Sequence, residues 1–195
     1  MQAKSKIRPR RSALRGKFRA CYIARRMTGL MRPFQLRRLT AGERAIGDEV
    51  FGGDLDPAPV RLFAVPAPRA LRPFVPGEVL WSRRYWIVFP RTGALADFSQ
   101  APLGAQARFV HELTHVWQAQ RGVDLLKAKW KAGYEYVLDP GCRWDGFNIE
   151  QQAMIVEDAF RLSRGGRARY PQACPVGDYE RVKPFGRSAA QPGRG

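Results

Sequence analysis

The sequence predicts an α+β fold, a single domain in which a small sheet of about three strands packs against two long helices. Three observations support this prediction. The 195 residues suit one domain with a sizeable core. Strand-forming segments lie between residues 60 and 89, whereas helix-forming segments lie mainly between residues 97 and 162. Basic residues are concentrated at the two ends, outside this region.

The charge distribution divides the chain into three predicted parts. Residues 1–38 contain 13 of the 34 Lys and Arg residues and no acid, and we expect this basic arm to be disordered. The folded domain is expected over residues 39–162. A tail rich in Gly, Arg and Pro follows over residues 163–195. The basicity therefore belongs to the ends, which leaves nucleic acid or an anionic surface open as partners.

Several features concern the cellular location. No stretch approaches the 18 apolar residues of a membrane-spanning helix, and the basic arm lacks the apolar region of a secretory signal. Cys21, Cys142 and Cys174 are too scattered for a disulfide framework. These features predict a cytoplasmic protein, or one exported without a signal peptide.

The first half of the domain is predicted to contain one helix and three strands. Thr40 and Glu43 have the spacing of a capping box, so a helix should begin after Thr40 and end at Gly52. The strands are expected at residues 60–65, 78–81 and 85–89. The last of these is a candidate sheet edge against which an extended peptide could lie.

The second half is predicted to be helical. Ser99 is the expected N-cap of a helix that runs to about residue 121, with Gly122 following its C-terminus. A second helix is expected over residues 124–136. A third is expected over residues 147–162.

The most informative motif lies on the first of these three helices and contains His111, Glu112 and His115. Helical residues four apart lie on one face, so both imidazoles can bind one Zn²⁺ ion. Glu112 is turned about 100° from His111 and can act as general base on a zinc-bound water. The flanking residues are apolar, and polar groups in such a buried helix need partners. The motif therefore predicts a zinc-dependent metallopeptidase-like hydrolase with a peptide or protein substrate.

Catalytic zinc needs a third protein ligand. The chain has no other histidine and no suitably placed thiolate, so a carboxylate is expected. The downstream helix offers Glu150, Glu157 and Asp158. We favour Glu150, because the small Ala153 one turn later would allow close approach to the histidine helix, and Glu157 is the second choice.

A hydrolase of this kind also needs a group that stabilises the oxyanion. Tyr134 and Tyr136 lie between the two metal-binding segments and are candidates to stabilise an oxyanion, and we favour Tyr136. One alternative is a non-catalytic, zinc-stabilised domain that binds a partner protein, although a structural site needs no base such as Glu112. The other is nucleic-acid binding through the basic ends, which predicts strongly salt-dependent affinity.

Residues 39–160 also resemble a known family. They are similar to the Vgr-related bacterial zincin-like metallopeptidases, and more distantly to the core domain of extracellular contractile injection systems. The matching segments are residues 39–43, 50–52, 60–62, 111–118 and 149–153.

This resemblance implies a zincin-like fold, with His111, His115 and Glu150 as zinc ligands and Glu112 as general base. It also implies a partner in type VI secretion or injection machinery. The sequence departs from the family pattern at one position.

Many zincins of this type carry an aspartate one turn after the third ligand, where it orients a histidine, whereas this chain has Met154. Asn148, Asp158 or a backbone carbonyl would have to supply that support.

Overall fold

A computed structural model describes residues 29–67, 72–79, 83–129, 132–170 and 176–186. Within these ranges the fold is α+β, as predicted, and consists of a small mixed sheet, several α-helices and short 3-10 helices. In chain order the elements are β1 (Leu36–Arg38), α1 (Ala41–Phe51), β2 (Val60–Val65), β3 (Glu78–Val79), β4 (Arg84–Pro90), a 3-10 helix (Phe98–Gln100), α2 (Leu103–Gln120), α3 (Leu125–Lys129), a 3-10 helix (Trp144–Gly146), α4 (Ile149–Ser163) and α5 (Val176–Val182). Among the described helices, none has the length and apolarity needed to cross a membrane.

The sheet has the strand order β1-β2-β4-β3. β1 pairs antiparallel with β2, β2 pairs parallel with β4, and β3 pairs antiparallel with β4. The expected number of strands was about three, and the additional strand is β1. It lies in the segment predicted to be a disordered arm, so that boundary is wrong for residues 36–38. One leucine followed by two arginines gives no strand signal in the sequence. The segment is a strand only because it pairs with β2.

The prediction that residues 85–89 form a sheet edge is also wrong. β4 pairs with β2 along one side, and β3 covers the start of its other side. Further along that other side, Phe74 and Val88 exchange backbone hydrogen bonds of 3.1 and 2.9 Å. A peptide therefore cannot add to β4 along the covered part of its edge.

α1 begins at the predicted capping box. Thr40 Oγ1 accepts a hydrogen bond from the Glu43 backbone N–H at 3.1 Å, and Glu43 Oε2 accepts one from Thr40 N–H at 2.8 Å. Glu43 is fully buried and also accepts hydrogen bonds from Arg37 and from the backbone of Phe98. The helix ends at Gly52, whose φ of 58° is the left-handed conformation that glycine adopts without strain.

The core joins the sheet to α2 through aromatic side chains. Phe98 stacks on Phe109 of α2 at 5.1 Å and contacts Phe89 of β4 at 4.8 Å. All three rings are at most 1% exposed, and full burial of one such side chain contributes about 1.5–3 kcal/mol. This packing holds α2 against the sheet and fixes its orientation.

Two predictions for the later part of the chain need correction. The helix expected over residues 124–136 is α3, described only as far as Lys129, and residues 132–138 are not helical. The segment expected to be a tail contains α5, whose Tyr179 is 1% exposed. Phe185 after α5 packs against Trp117 with 4.7 Å between ring centroids. Aromatic anchors therefore extend the folded domain beyond residue 162.

Candidate metal centre

The two histidines lie on successive turns of α2, as the motif predicts. Their rings are 4.9 Å apart at an interplanar angle of 84°, and both residues are buried. α2 has buried residues on almost all sides over residues 109–118, because the sheet and α4 enclose it. The imidazoles therefore face α4 rather than solvent.

Glu150 approaches this pair from the first turn of α4. Asn148 caps that helix by accepting hydrogen bonds from the backbone N–H groups of Glu150 and Gln151, both at 2.9 Å. Glu150 Oε2 lies 3.2 Å from Nε2 of His111 and 3.2 Å from Nε2 of His115. The three side chains each offer one ligand atom within 4.8 Å of the others, so they can hold a metal ion.

The surroundings of His115 fit a bound cation. The Gln118 amide nitrogen donates hydrogen bonds to the Ile149 carbonyl at 3.0 Å and to Gln152 Oε1 at 2.8 Å. Its oxygen must therefore accept the remaining hydrogen bond, from His115 Nδ1–H at 2.8 Å. Nε2 of a neutral His115 then carries a lone pair that faces the Glu150 carboxylate. Two facing acceptors are stabilised by a cation or a proton between them.

A second carboxylate lies beside the other ring nitrogen of His111. Its Nδ1 lies 3.3 Å from Glu157 Oε2, while Glu157 Oε1 accepts hydrogen bonds from Arg161 at 3.0 and 2.6 Å. Burial lowers the pKa of His111, but its interactions with Glu150 and Glu157 outweigh burial and raise the pKa to about 9. Burial raises the pKa of Glu157, but His111 and Arg161 lower it below its ordinary value. Glu157, the second choice as ligand, thus contacts the ring nitrogen opposite Glu150.

Glu112 lies at the wall of a cavity of about 170 Å³ beside these groups. The residue is 4% exposed, and its Oε2 has no hydrogen-bond partner among the described residues. An unpaired carboxylate oxygen is costly to bury. The free acceptor of Glu112 is therefore available to a molecule that enters the cavity. His111 and Glu150 line the same cavity.

The two tyrosines differ in position. Tyr134 lines the cavity, and its ring stacks on His111 with 6.3 Å between centroids. Tyr136 is buried in a second apolar cluster, where its hydroxyl donates a hydrogen bond to Asp158 at 2.7 Å. Burial and that interaction raise the pKa of Tyr136. The hydroxyl of Tyr136, the tyrosine favoured from the sequence, is thus directed towards Asp158, whereas Tyr134 is the tyrosine that lines the cavity.

Comparison with known proteins places this geometry in context. No family model matches the chain. A solved structure, the effector domain of Pseudomonas aeruginosa VgrG2b, is 30% identical with a TM-score of 0.57, and the match covers 77% of this chain and 88% of that domain. The chain belongs to the VgrG2b effector-domain family. The predicted relationship to Vgr proteins is thereby confirmed.

The VgrG2b relationship concerns a small part of a longer protein. The type VI secretion system spike protein VgrG2b of Pseudomonas aeruginosa is 33% identical over 141 residues, which covers 64% of this chain and 13% of that protein. The chain therefore spans about one eighth of the spike protein's length and corresponds to its effector part.

In this member of the VgrG2b effector-domain family, the support of the histidines differs from the prediction. Asn148 caps α4, and Asp158 accepts hydrogen bonds from Tyr136 and from the backbone of Arg169 and Tyr170. Gln118 and Glu157 contact the histidines instead. Gln118 lies three residues after His115 on the same helix face, so this spacing was a signal that could have identified it.

Proposed function

We propose that the chain is a zinc-dependent metallopeptidase-like hydrolase in which His111, His115 and Glu150 bind the metal and Glu112 is the general base. The observation that carries the proposal is the unpaired Glu112 Oε2 at a cavity that the ligand residues also line. A metal site with a purely structural role needs no such base. The proposal is also supported by the relationship to an effector domain.

The residues of the chain would divide the work as follows. Gln118 holds His115 as the tautomer whose Nε2 is free to bind metal, and Glu157 orients His111. When bound, zinc would lower the pKa of a coordinated water toward about 7 and polarise a substrate carbonyl. Glu112 would accept the proton of the attacking water at Oε2 and deliver it to the leaving amine. Tyr134 would donate a hydrogen bond to the developing oxyanion.

A secretion-system spike is the proposed partner, and export would follow a route without a signal peptide, because the related protein is a type VI secretion spike. His111 contacts the Glu157 carboxylate, and His115 contacts the Gln118 amide. These contacts take the place of the orienting aspartate that Met154 replaces, so they favour a catalytic metal site over a degenerate one.

Metal analysis of the purified protein tests the proposal. We expect about one zinc per chain for the wild type, loss of zinc in His115→Ala, and retention in Glu112→Gln. Glu112→Gln keeps the shape of the side chain but removes its basicity, so cleavage of peptides or unfolded proteins should fall at least 100-fold. Glu49→Gln, a change to an exposed carboxylate outside the site, is the control.

Two results would contradict the proposal in different ways. Zinc retained in His115→Ala would show that the metal centre is not formed by this triad. Wild-type activity in Glu112→Gln would leave the metal centre intact but remove Glu112 as the base.

A further inference from the structure

The cavity beside the metal-binding triad is lined by three arginines as well as by the catalytic candidates. Arg72, Arg108 and Arg169 come from three separate segments, namely the chain before β3, the first half of α2 and the loop after α4. Three cations that converge from separate segments onto one small cavity suggest recognition of an anion.

These arginines are not neutralised by their neighbours. Among the described residues, none of the three forms an ion pair or donates a side-chain hydrogen bond, and all three are exposed. By contrast, Arg37 and Arg161, which lie outside the cavity, pair with Glu43 and Glu157 at 2.6 Å. The cavity arginines therefore keep their full hydrogen-bonding capacity for another molecule.

Neighbouring contacts position two of the three arginines, Arg72 and Arg169. The Arg72 guanidinium stacks 5.2 Å above the ring of Tyr134, which itself stacks on His111. The backbone N–H of Arg169 donates a 2.6 Å hydrogen bond to Asp158, which is fully buried in α4. The Arg72 guanidinium and the backbone of Arg169 are thus held against the frame of the site.

Arg108 lies on α2, one helical turn before the proposed general base. It precedes Glu112 by four residues, so the two side chains share one face of the helix. Despite this spacing they form no ion pair. A substrate attacked by the water that Glu112 activates would therefore lie close to the Arg108 guanidinium.

The charges of the cavity favour a carboxylate. Its lining carboxylates are Glu112, Glu150 and Glu157, of which Glu150 faces the histidines and Glu157 pairs with Arg161. The planar guanidinium matches a carboxylate in a two-point hydrogen bond. A volume of about 170 Å³ lies below the roughly 300 Å³ at which pockets for drug-sized ligands begin, so it suits one or two side chains rather than a nucleotide.

We propose that Arg72, Arg108 and Arg169 select peptide substrates that carry a carboxylate next to the scissile bond. This carboxylate is either the side chain of Asp or Glu or a free C-terminus. The inference rests on the proposed function, because it assigns a substrate class to the same cavity. It goes beyond that function by naming residues that determine specificity without taking part in the chemistry.

Binding measured separately from cleavage tests the inference. The zinc-loaded Glu112→Gln protein is titrated with short fluorescent peptides that differ in one feature: a central Glu or Gln with an amidated C-terminus, or a central Gln with a free C-terminus. We expect a carboxylate peptide to bind about 10-fold more tightly than the amidated Gln peptide. The two carboxylate peptides distinguish a side-chain site from a C-terminal site.

Substitution of the arginines identifies the residues responsible. Adding Arg108→Gln or Arg169→Gln should reduce the preference for the carboxylate peptide to less than 3-fold without changing the bound zinc. Arg143→Gln, which changes a largely exposed arginine paired with Asp145 outside the cavity, should leave the preference unchanged. Arg72→Gln should act like the other cavity variants.

The outcomes separate this inference from the proposed function. Equal binding of the Glu and Gln peptides, or a preference that Arg143→Gln weakens as much as Arg108→Gln, would overturn the inference. Displacement of the carboxylate peptide by a single-stranded oligonucleotide at equal concentration would also overturn it, since the cavity would then attract any polyanion. A carboxylate preference in binding without cleavage by the wild type would support the inference and contradict the hydrolase. Cleavage by the wild type without any carboxylate preference would contradict the inference and support the hydrolase.

Discussion

The contact between Gln118 and His115 yields the sharpest prediction about this metal centre. In Gln118→Leu, His115 Nδ1–H loses its 2.8 Å acceptor at a site where the histidine is fully buried. The Ile149 carbonyl and Gln152 Oε1 lose a donor as well. One fully buried N–H without an acceptor, together with two acceptors that each lose one donor, should lower the free energy of unfolding by about 2–4 kcal/mol. A domain with a stability of about 5–15 kcal/mol should remain folded.

The same substitution should weaken zinc binding by about 10–100-fold, because His115 is no longer held as the required tautomer. Gln118→Glu separates the two effects. It keeps an acceptor for His115 Nδ1–H, so zinc affinity should stay within about threefold of the wild type or increase. It loses both donated hydrogen bonds, so the metal-free protein should still be destabilised.

Zinc affinity is measured by competition with a chromophoric chelator, and stability by urea unfolding followed by circular dichroism. Gln120→Leu is the matched control, because Gln120 lies on the same helix but bonds to Asp56 at an exposed position. It should leave zinc affinity unchanged. If Gln118→Leu binds zinc as tightly as the wild type while losing stability, then Gln118 only packs α2 against α4, and the orientation argument is refuted.

Three further predictions concern His111, Glu43 and the tyrosines. Since the pKa of His111 is raised to about 9, protonation of His111 should stabilise the chelator-treated protein fully below pH 6.5. This contribution to the free energy of unfolding should disappear as pH rises through 9. Urea unfolding across that pH range measures it, and a flat profile would contradict the prediction. Glu43→Ala should lower the free energy of unfolding in urea by about 3–5 kcal/mol, because it leaves the largely buried Arg37 without its carboxylate. Glu49→Ala, at an exposed ion pair, should lower it by less than about 1 kcal/mol. Equal losses in the two variants would refute this reasoning. Tyr134→Phe should lower kcat for peptide cleavage at least 10-fold with little change in thermal stability. Tyr136→Phe should lower thermal stability with little change in kcat, because Asp158 loses a hydrogen bond. A large loss of kcat in Tyr136→Phe but not in Tyr134→Phe would instead identify Tyr136 as the catalytic tyrosine.

The parts of the site that depend on local geometry were predictable from the sequence. The i, i+4 spacing of His111 and His115 brings their imidazoles together on any α-helix, whatever the rest of the chain does. The capping box of α1 and the choice of Glu150 follow the same kind of reasoning, from residues a few positions apart. The α+β class was predictable as well, because strand-forming and helix-forming segments occupy different parts of the chain.

The parts that depend on long-range contacts were not predictable. β1 is a strand only because β2 lies beside it, and residues 132–138 are not helical although the helix was expected to continue to residue 136. Tyr134 and Tyr136 are two residues apart, yet Tyr134 lines the cavity whereas Tyr136 donates a hydrogen bond to Asp158, and no local spacing rule predicts that difference.

The sequence by itself therefore determined which residues can bind a metal, since that choice depends on chemistry and on spacing within one helix. Tertiary structure decided which groups orient the histidines, which tyrosine lines the cavity and which arginines surround it. Apart from Gln118, which lies on the same helix as the histidines, these groups come from segments distant in the chain, and only tertiary packing brings them to the site.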